Sequence, residues 1–220
     1  MNLFFREFAL TFSALLPVVN PIGSAFIFLG IVGGGVPPGL FAKLARKVAV
    51  TTIVFLLVIE LIGAALLTFF GISLPVVQLA GGLVLASMGW GLLNNQNDKS
   101  EKQSSADSSN SIPIADKIFY PLTFPVTAGP GCIVVTVTLS AHAAQGVVIG
   151  DVISHLGIAA AIVVQGLLIW LSYAYAPKIT AKINPQTAHG ILRVIAFVLL
   201  CIGVQIAKNG LTAMIPGVIK

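Results

Sequence analysis

The first apolar stretch of this chain restricts its fold more than any other feature. No charged residue occurs between Phe8 and Ala42, and only 9% of all residues are charged while 57% are hydrophobic. Soluble domains carry about 25% charged residues, whereas a run of about 20 mostly apolar residues has the length of a membrane-spanning helix. The sequence therefore predicts an all-α polytopic membrane protein.

Apolar segments of this length recur along the chain and predict six transmembrane helices. They cover residues of about 5–30, 48–70, 75–93, 118–140, 150–175 and 191–212. Residues 94–117 separate the third predicted helix from the fourth and are rich in Ser, Asn and charged side chains. Because such a composition cannot bury a core, we predict a flexible cytoplasmic linker.

The linker divides the chain into a first three-helix repeat at 1–93 and a second at 118–220. Since each half contains an odd number of helices, equivalent halves would cross the membrane in opposite orientations, as an inverted repeat. The segments "LLPVVNPIGSAFIFL" and "LTFPVTAGPGCIVVTV" each place Pro and Val before a turn of small or polar residues. This similarity supports the predicted repeat.

Basic residues concentrate in the first, third and fifth predicted loops, which lie on one side of the membrane. They are Lys43, Arg46, Lys47, Lys99, Lys102, Lys117, Lys178, Lys182 and Arg193. Because loops rich in Lys and Arg face the cytoplasm, we expect the linker in the cytoplasm and both termini outside.

Two proline-containing turns interrupt the first predicted helix of each half. Proline disrupts a helix interior, whereas Asn is a favoured N-cap and Pro a favoured first helical residue. Asn20-Pro21 and Gly129-Pro130 therefore predict helices that start again at mid-membrane. A helix start presents free N–H groups and a positive dipole end to an anion, and paired broken helices are typical of secondary transporters. The alternative is a pair of proline kinks that serve packing.

Four segments of the sequence resemble the MarC family of integral membrane proteins. They are "VVNPIG", "FGISLPVVQLAGGLVLASMGW", "PLTFPVTAGPG" and "LRVIAFVLLCIGVQIAKNGL". The resemblance implies a six-helix protein with inverted halves in a bacterial or archaeal plasma (inner) membrane, and some members transport small neutral amino acids such as glycine and alanine. One departure is Ala196, where the family pattern leads us to expect glycine.

The motifs that match the family define the expected binding site for the substrate. These residues are Asn20, Pro21, Gly23, Thr127, Gly129, Pro130 and Gly131. We expect the glycines to let a ligand approach the backbone, and the two helix starts to hold the carboxylate of a small zwitterion.

Polar side chains inside the predicted helices are further candidates. Glu60 lies in the middle of the second helix, where a carboxylate is costly and by default functional; it is either an ion-coupling proton carrier or a protonated side chain bonded to a neighbouring helix. Gln165 is expected to join helices by hydrogen bonds. Asp151 and His155 are expected to form an interfacial polar pair, too small for a metal site.

The function predicted from these features is proton-coupled transport of small neutral amino acids. Two alternatives stay open: an aquaporin-like channel for water or small neutral solutes, and a non-transporting membrane scaffold. The sequence has no nucleophile elbow, metalloprotease motif or P-loop, so we expect no enzyme, cofactor or metal. The expected partners are the zwitterionic substrate and the lipid bilayer, without nucleic acid, and a homo-oligomer is left open.

Overall fold

A computed structural model describes residues 2–32, 37–94, 118–143, 148–180 and 185–215. Within these ranges the protein is helical and contains no strand, which confirms the predicted all-α class. The helices are α1 (Leu3–Val19), α2 (Pro21–Val32), α3 (Pro38–Phe69), α4 (Leu74–Asn94), α5 (Pro130–Ala143), α6 (Val148–Ala174), α7 (Ala176–Thr180) and α8 (Pro185–Met214), with an irregular helical segment at Ile118–Thr127. Almost all of the predicted linker lies outside the described residues.

Five helical stretches of the described chain are long and apolar enough to cross a membrane. They are Leu3–Leu29, Gly39–Phe69, Leu74–Asn94, Val148–Ala174 and Arg193–Met214. The fourth predicted helix is a bent pair, Ile118–Thr127 and Pro130–Ala143, whose axes differ by 69°. The described chain therefore has five candidate spans, or six if the bent pair is one span.

Helix α3 begins earlier than the sequence predicted. Its first residue is Pro38, so Lys43, Arg46 and Lys47 are exposed on a helix and not in a loop. Proline is favoured at the first position of a helix, and the following Leu, Ala, Lys and Arg are good helix formers. The apolar pattern ended at these charges, but charged residues do not end a helix.

The helices bury one face against each other and leave the other face apolar and exposed. Helix α6 packs against α1, α2 and α3, helix α3 also contacts α5 and the segment 118–127, and α4 packs along α8. The core between them includes Leu15, Phe28, Leu56, Ile162 and Tyr173. The outer faces carry side chains such as Leu61 and Phe69, which are 71% and 81% exposed. Apolar exposure on this scale indicates a surface covered by lipid.

Helices α4 and α8 approach each other closely through glycine. A Cβ atom at Gly203 would lie 2.7 Å from the Gly82 carbonyl oxygen, and one at Gly89 would lie 2.8 Å from the Ala196 carbonyl oxygen. Ala196 is itself fully buried. The alanine at this position is thus accommodated, because Gly89 supplies the space opposite it.

Candidate functional site

Asn20 separates α1 from α2. Its backbone is left-handed, with φ 46° and ψ 67°, a conformation that Asn tolerates better than most residues. The Asn20 N–H donates to the Leu16 carbonyl at 3.0 Å, and the Asn20 Oδ1 accepts from the Gly23 N–H at 3.0 Å. One residue therefore ends α1 and caps α2, whose first residue is Pro21.

The second interruption lies between Thr127 and Pro130. Tyr120 and Phe124 are extended within the preceding segment, with φ −119° at both, because each precedes a proline and is pushed out of the helical region. The chain then turns at Gly129, and α5 begins at Pro130.

A tyrosine from α6 connects the two interruptions. The Tyr173 hydroxyl lies 2.7 Å from Thr127 Oγ1 and is also near the Ser24 side chain. Thr127 donates to the Leu122 carbonyl at 2.6 Å, so its oxygen accepts from Tyr173. The Tyr173 ring is fully buried and stacks on Phe28 with ring centroids 4.6 Å apart.

The start of α2 offers one amide to a ligand. Pro21 has no N–H, the Gly23 N–H is bonded to the Asn20 side chain, and the Ser24 N–H donates to the Asn20 carbonyl at 2.9 Å. Among the first-turn amides of this helix, the Ile22 N–H is therefore the one without an acceptor in the described residues.

The start of α5 is similar. Pro130 has no N–H, while the N–H groups of Cys132 and Ile133 donate to the Gly129 carbonyl at 3.0 and 3.4 Å. Among the first-turn amides of α5, the Gly131 N–H has no acceptor in the described residues. Each helix start therefore provides one free amide and a positive dipole end.

Protein atoms occupy the space beside the site glycines. A Cβ atom at Gly23 would lie 2.7 Å from Asn20 Cγ, and one at Gly131 would lie 2.7 Å from Leu85 Cγ. At Gly129 the nearest atom is the Pro125 carbonyl oxygen, 3.0 Å away. These glycines permit close packing, and a ligand would reach the backbone of Gly131 only if Leu85 moved.

A cavity of about 380 Å³ lies beside the first interruption. Asn20, Pro21 and Ile22 form one wall, and Ser172 of α6 and Val198 of α8 contribute to the others. Its remaining lining is apolar, so the cavity suits hydrocarbon better than a charged group.

Glu60 of α3 lies apart from the helix starts, and its side chain is buried against α6. It is 2% exposed, and its Oε1 hydrogen-bonds to Nδ1 of His155 on α6. The Ser140 hydroxyl of α5 donates to the Glu60 carbonyl at 2.6 Å. His155, which was expected to form a polar pair with Asp151 one turn away, thus has a partner on another helix, and the pair with Asp151 stays a prediction. The proton-carrying role of Glu60 stays a prediction.

The prediction that Gln165 joins helices by hydrogen bonds was wrong. Its side chain is fully buried, and within the described part of the chain neither Oε1 nor Nε2 has a hydrogen-bond partner. The described residues also contain no cluster of three or more potential metal ligands.

Sequence reasoning missed Tyr173 and Ser24, and it named His155 without its partner Glu60. A tyrosine or histidine inside an apolar helix usually needs a hydrogen-bond partner when buried. That requirement marks such residues as candidates, but it does not identify the partner.

The long apolar helices and their exposed apolar faces define a multi-pass α-helical membrane protein. A family model described as "MarC family integral membrane protein" matches residues 5–215, and the chain belongs to this family. It is 27% identical over 214 residues to an Escherichia coli protein named inner membrane protein MarC, with 96% of both chains covered. A Shigella flexneri protein of the same name matches equally. No solved structure matches.

Proposed function

We propose that the protein is a secondary transporter of small neutral amino acids, such as glycine and alanine. The substrate carboxylate is held at the N-termini of α2 and α5. One observation carries the proposal: the Tyr173 hydroxyl hydrogen-bonds to Thr127, just before α5, and lies near Ser24, in the first turn of α2. This places two positive helix ends near one hydroxyl, and a helix start is a natural anion site.

The contacts between helices support an inverted repeat. Helices α1 and α2 of the first half pack on α6 of the second, and the segment 118–127 and α5 of the second half pack on α3 of the first. Further contacts join α3 with α6 and α4 with α8, which are the second and third helices of each half. Helix α4 also packs on α5, and α8 packs on α1 less extensively. Exchanging the halves preserves this pattern, as expected for a transporter built from two repeats.

The groups available at the helix starts suit a small zwitterion. The Ile22 N–H is a free donor for a carboxylate, and the Gly131 N–H becomes one when Leu85 moves. Carbonyl groups near Val18 and Val126 would receive the ammonium. Leu85 and Val18 lie against Gly131, which leaves little room for a large side chain. The proposal therefore favours glycine and alanine over larger amino acids.

The buried side chains without partners support a polar route through the helices. Gln165 lies two turns before Tyr173 on the same face of α6, and the hydroxyl groups of Thr11 and Thr136 are also buried without a partner in the described residues. Buried polar groups are nearly always hydrogen-bonded, so these groups are available to water or substrate in another conformation. Glu60 is the proposed proton carrier for coupling.

Uptake by reconstituted vesicles tests this function. Purified protein in proteoliposomes should accumulate labelled glycine and alanine with saturation when a pH gradient is imposed, and an amine without a carboxylate should not compete. Rapid vesicle swelling without saturable uptake would identify a channel. Absence of any small-molecule binding together with a stable co-purifying protein would identify a scaffold. Either result would reject the transporter.

A further inference from the structure

We propose that Glu60 and His155 form one proton-binding site, in which His155 exchanges protons with the solvent and Glu60 holds the charge inside the helix bundle. The connection to transport rests on the proposed function. Proton binding by the pair stands on its own geometry.

The two side chains differ in their access to the surface. Glu60 is 2% exposed, whereas the side chain of His155 is 32% exposed. Their hydrogen bond joins Oε1 of Glu60 to Nδ1 of His155. The imidazole is therefore the member of the pair nearer to the surface of the helix bundle, and we take it as the group that a proton reaches first.

The contact through Nδ1 defines two states that differ by one proton. In the first, a neutral imidazole donates its Nδ1–H to the ionised carboxylate, and the pair carries one negative charge. Adding one proton at Nε2, the ring nitrogen away from Glu60, gives an imidazolium beside a carboxylate with no net charge.

Other charged groups lie on the helices around the pair. On α6, Asp151 lies one turn before His155. On α1, Arg6 is paired with Glu7 at 2.8 Å, and the Glu7 side chain faces Gly157 of α6.

The two remaining neighbouring helices add little charge near Glu60. On α5, a ring nitrogen of His142 contacts the Thr138 carbonyl at 2.7 Å. On α3, the basic residues Lys43, Arg46 and Lys47 lie three turns or more away along the helix. Glu60 and His155 are thus in direct contact through Oε1 and Nδ1.

The position of the pair lets a proton act on the packing of the helices. Its hydrogen bond joins α3 to α6, the second helix of each half. Ser140 binds the backbone of the same residue, Glu60, and lies about 15 Å along α5 from Pro130 at 1.5 Å per residue. A change of one charge between α3 and α6 therefore acts next to the helix that begins at the proposed substrate site.

Nuclear magnetic resonance of labelled histidine tests proton binding without any substrate. The chain has three histidines, so the spectrum of ¹⁵N-histidine protein is simple, and His155→Gln assigns the signal of interest. We expect the His155 titration to change in Glu60→Gln while the His142 titration stays the same. An unchanged His155 titration would overturn the proposal.

A second measurement uses only the parent protein, in case Glu60→Gln does not fold. The chain has three glutamates, so the ¹³C-labelled Glu60 carboxyl signal can also be followed. The pair requires the Glu60 carboxyl and the His155 ring nitrogens to move in the same titration steps. Independent movement would contradict a shared site.

Transport then separates this inference from the proposed function. We expect Glu60→Gln and His155→Gln to lose accumulation driven by a pH gradient and to keep substrate exchange, with His142→Gln as the control that behaves like the parent. If the parent accumulates amino acids with protons and both variants do the same, the pair is not the coupling site and the transporter stands. If the parent transports nothing while the coupled titration is seen, the proposed function fails and the proton site stands.

Discussion

At the scale of single residues, Asn20 has the most clearly defined role. It is left-handed, ends α1 and caps α2 through the Gly23 N–H. Alanine can supply neither the side-chain oxygen nor easy access to the left-handed region. Glycine loses the oxygen but adopts the left-handed conformation freely.

Replacing Asn20 should therefore separate the cap from the backbone conformation. Asn20→Ala is expected to lower the free energy of unfolding by about 1–3 kcal/mol, from the lost cap and the left-handed strain. Asn20→Gly should cost only a few tenths of a kcal/mol. Thermal unfolding of the two purified variants checks this order, and equal stabilities would show that the backbone conformation matters little.

The hydroxyl of Tyr173 gives a second prediction at this scale. Tyr173→Phe keeps the ring stacked on Phe28, while Thr127 and Ser24 retain their bonds to backbone carbonyls. We expect a modest loss of stability of about 0.5–1.5 kcal/mol and a clear loss of glycine affinity. Tyr175→Phe, at a half-exposed tyrosine near the end of α6, is the matched control. A Tyr173→Phe protein that binds glycine as the parent does would remove Tyr173 from the site.

Local signals in the sequence predicted one of these residues and not the other. Asn20-Pro21 is a recognisable helix start because the cap and its acceptor lie three residues apart. The partners of Tyr173 are far away along the chain, with Thr127 separated from it by 46 residues. The same reason hid the pairing of Glu60 with His155, which are 95 residues apart.

At the scale of helices, the contact between α4 and α8 depends on glycine. A Cβ atom at Gly82 would lie 2.6 Å from the Gly203 carbonyl oxygen, whereas at Gly91 of the same helix no atom lies within 4 Å. The backbone opposite Gly82 cannot rotate away as a flexible side chain could.

Two alanine substitutions in α4 should therefore have opposite effects. Gly82→Ala is expected to destabilise the protein by about 1–3 kcal/mol through overpacking. Gly91→Ala should be neutral or stabilising by about 0.5–1 kcal/mol, since alanine favours the helix. Thermal unfolding of both variants tests the contact, and a Gly82→Ala protein as stable as the parent would mean that the helices can separate without cost.

Hydropathy predicted most of the long helices well but not their ends. The apolar period marks where a helix can lie in lipid, so the run that became α4 was predicted within one residue at each end. The start of α3 was misplaced because its first turns are charged. The angle of the 69° bend between segment 118–127 and α5 could not be predicted from the sequence, because it depends on how α5 packs against α3 and α4.

At the scale of the whole molecule, the predicted orientation can be tested directly. Basic residues predict a cytoplasmic linker at 94–117 and external termini. Cysteine tags in the linker should be protected from a membrane-impermeant reagent on intact cells, and tags at either terminus should react. A reactive linker would reverse the orientation and place His155 near the cytoplasmic side.

The measurement that tests the central claim most directly is ligand binding to purified, folded protein. Calorimetric titration should show that the parent binds glycine and alanine but not ethylamine, which has no carboxylate. Asn20→Ala should weaken binding by roughly two- to thirty-fold, the equivalent of a lost cap, and Gly131→Val should weaken it more because its side chain would crowd the start of α5. If the parent binds neither amino acid, or if both variants fold and bind them as the parent does, the helix starts are not the substrate site.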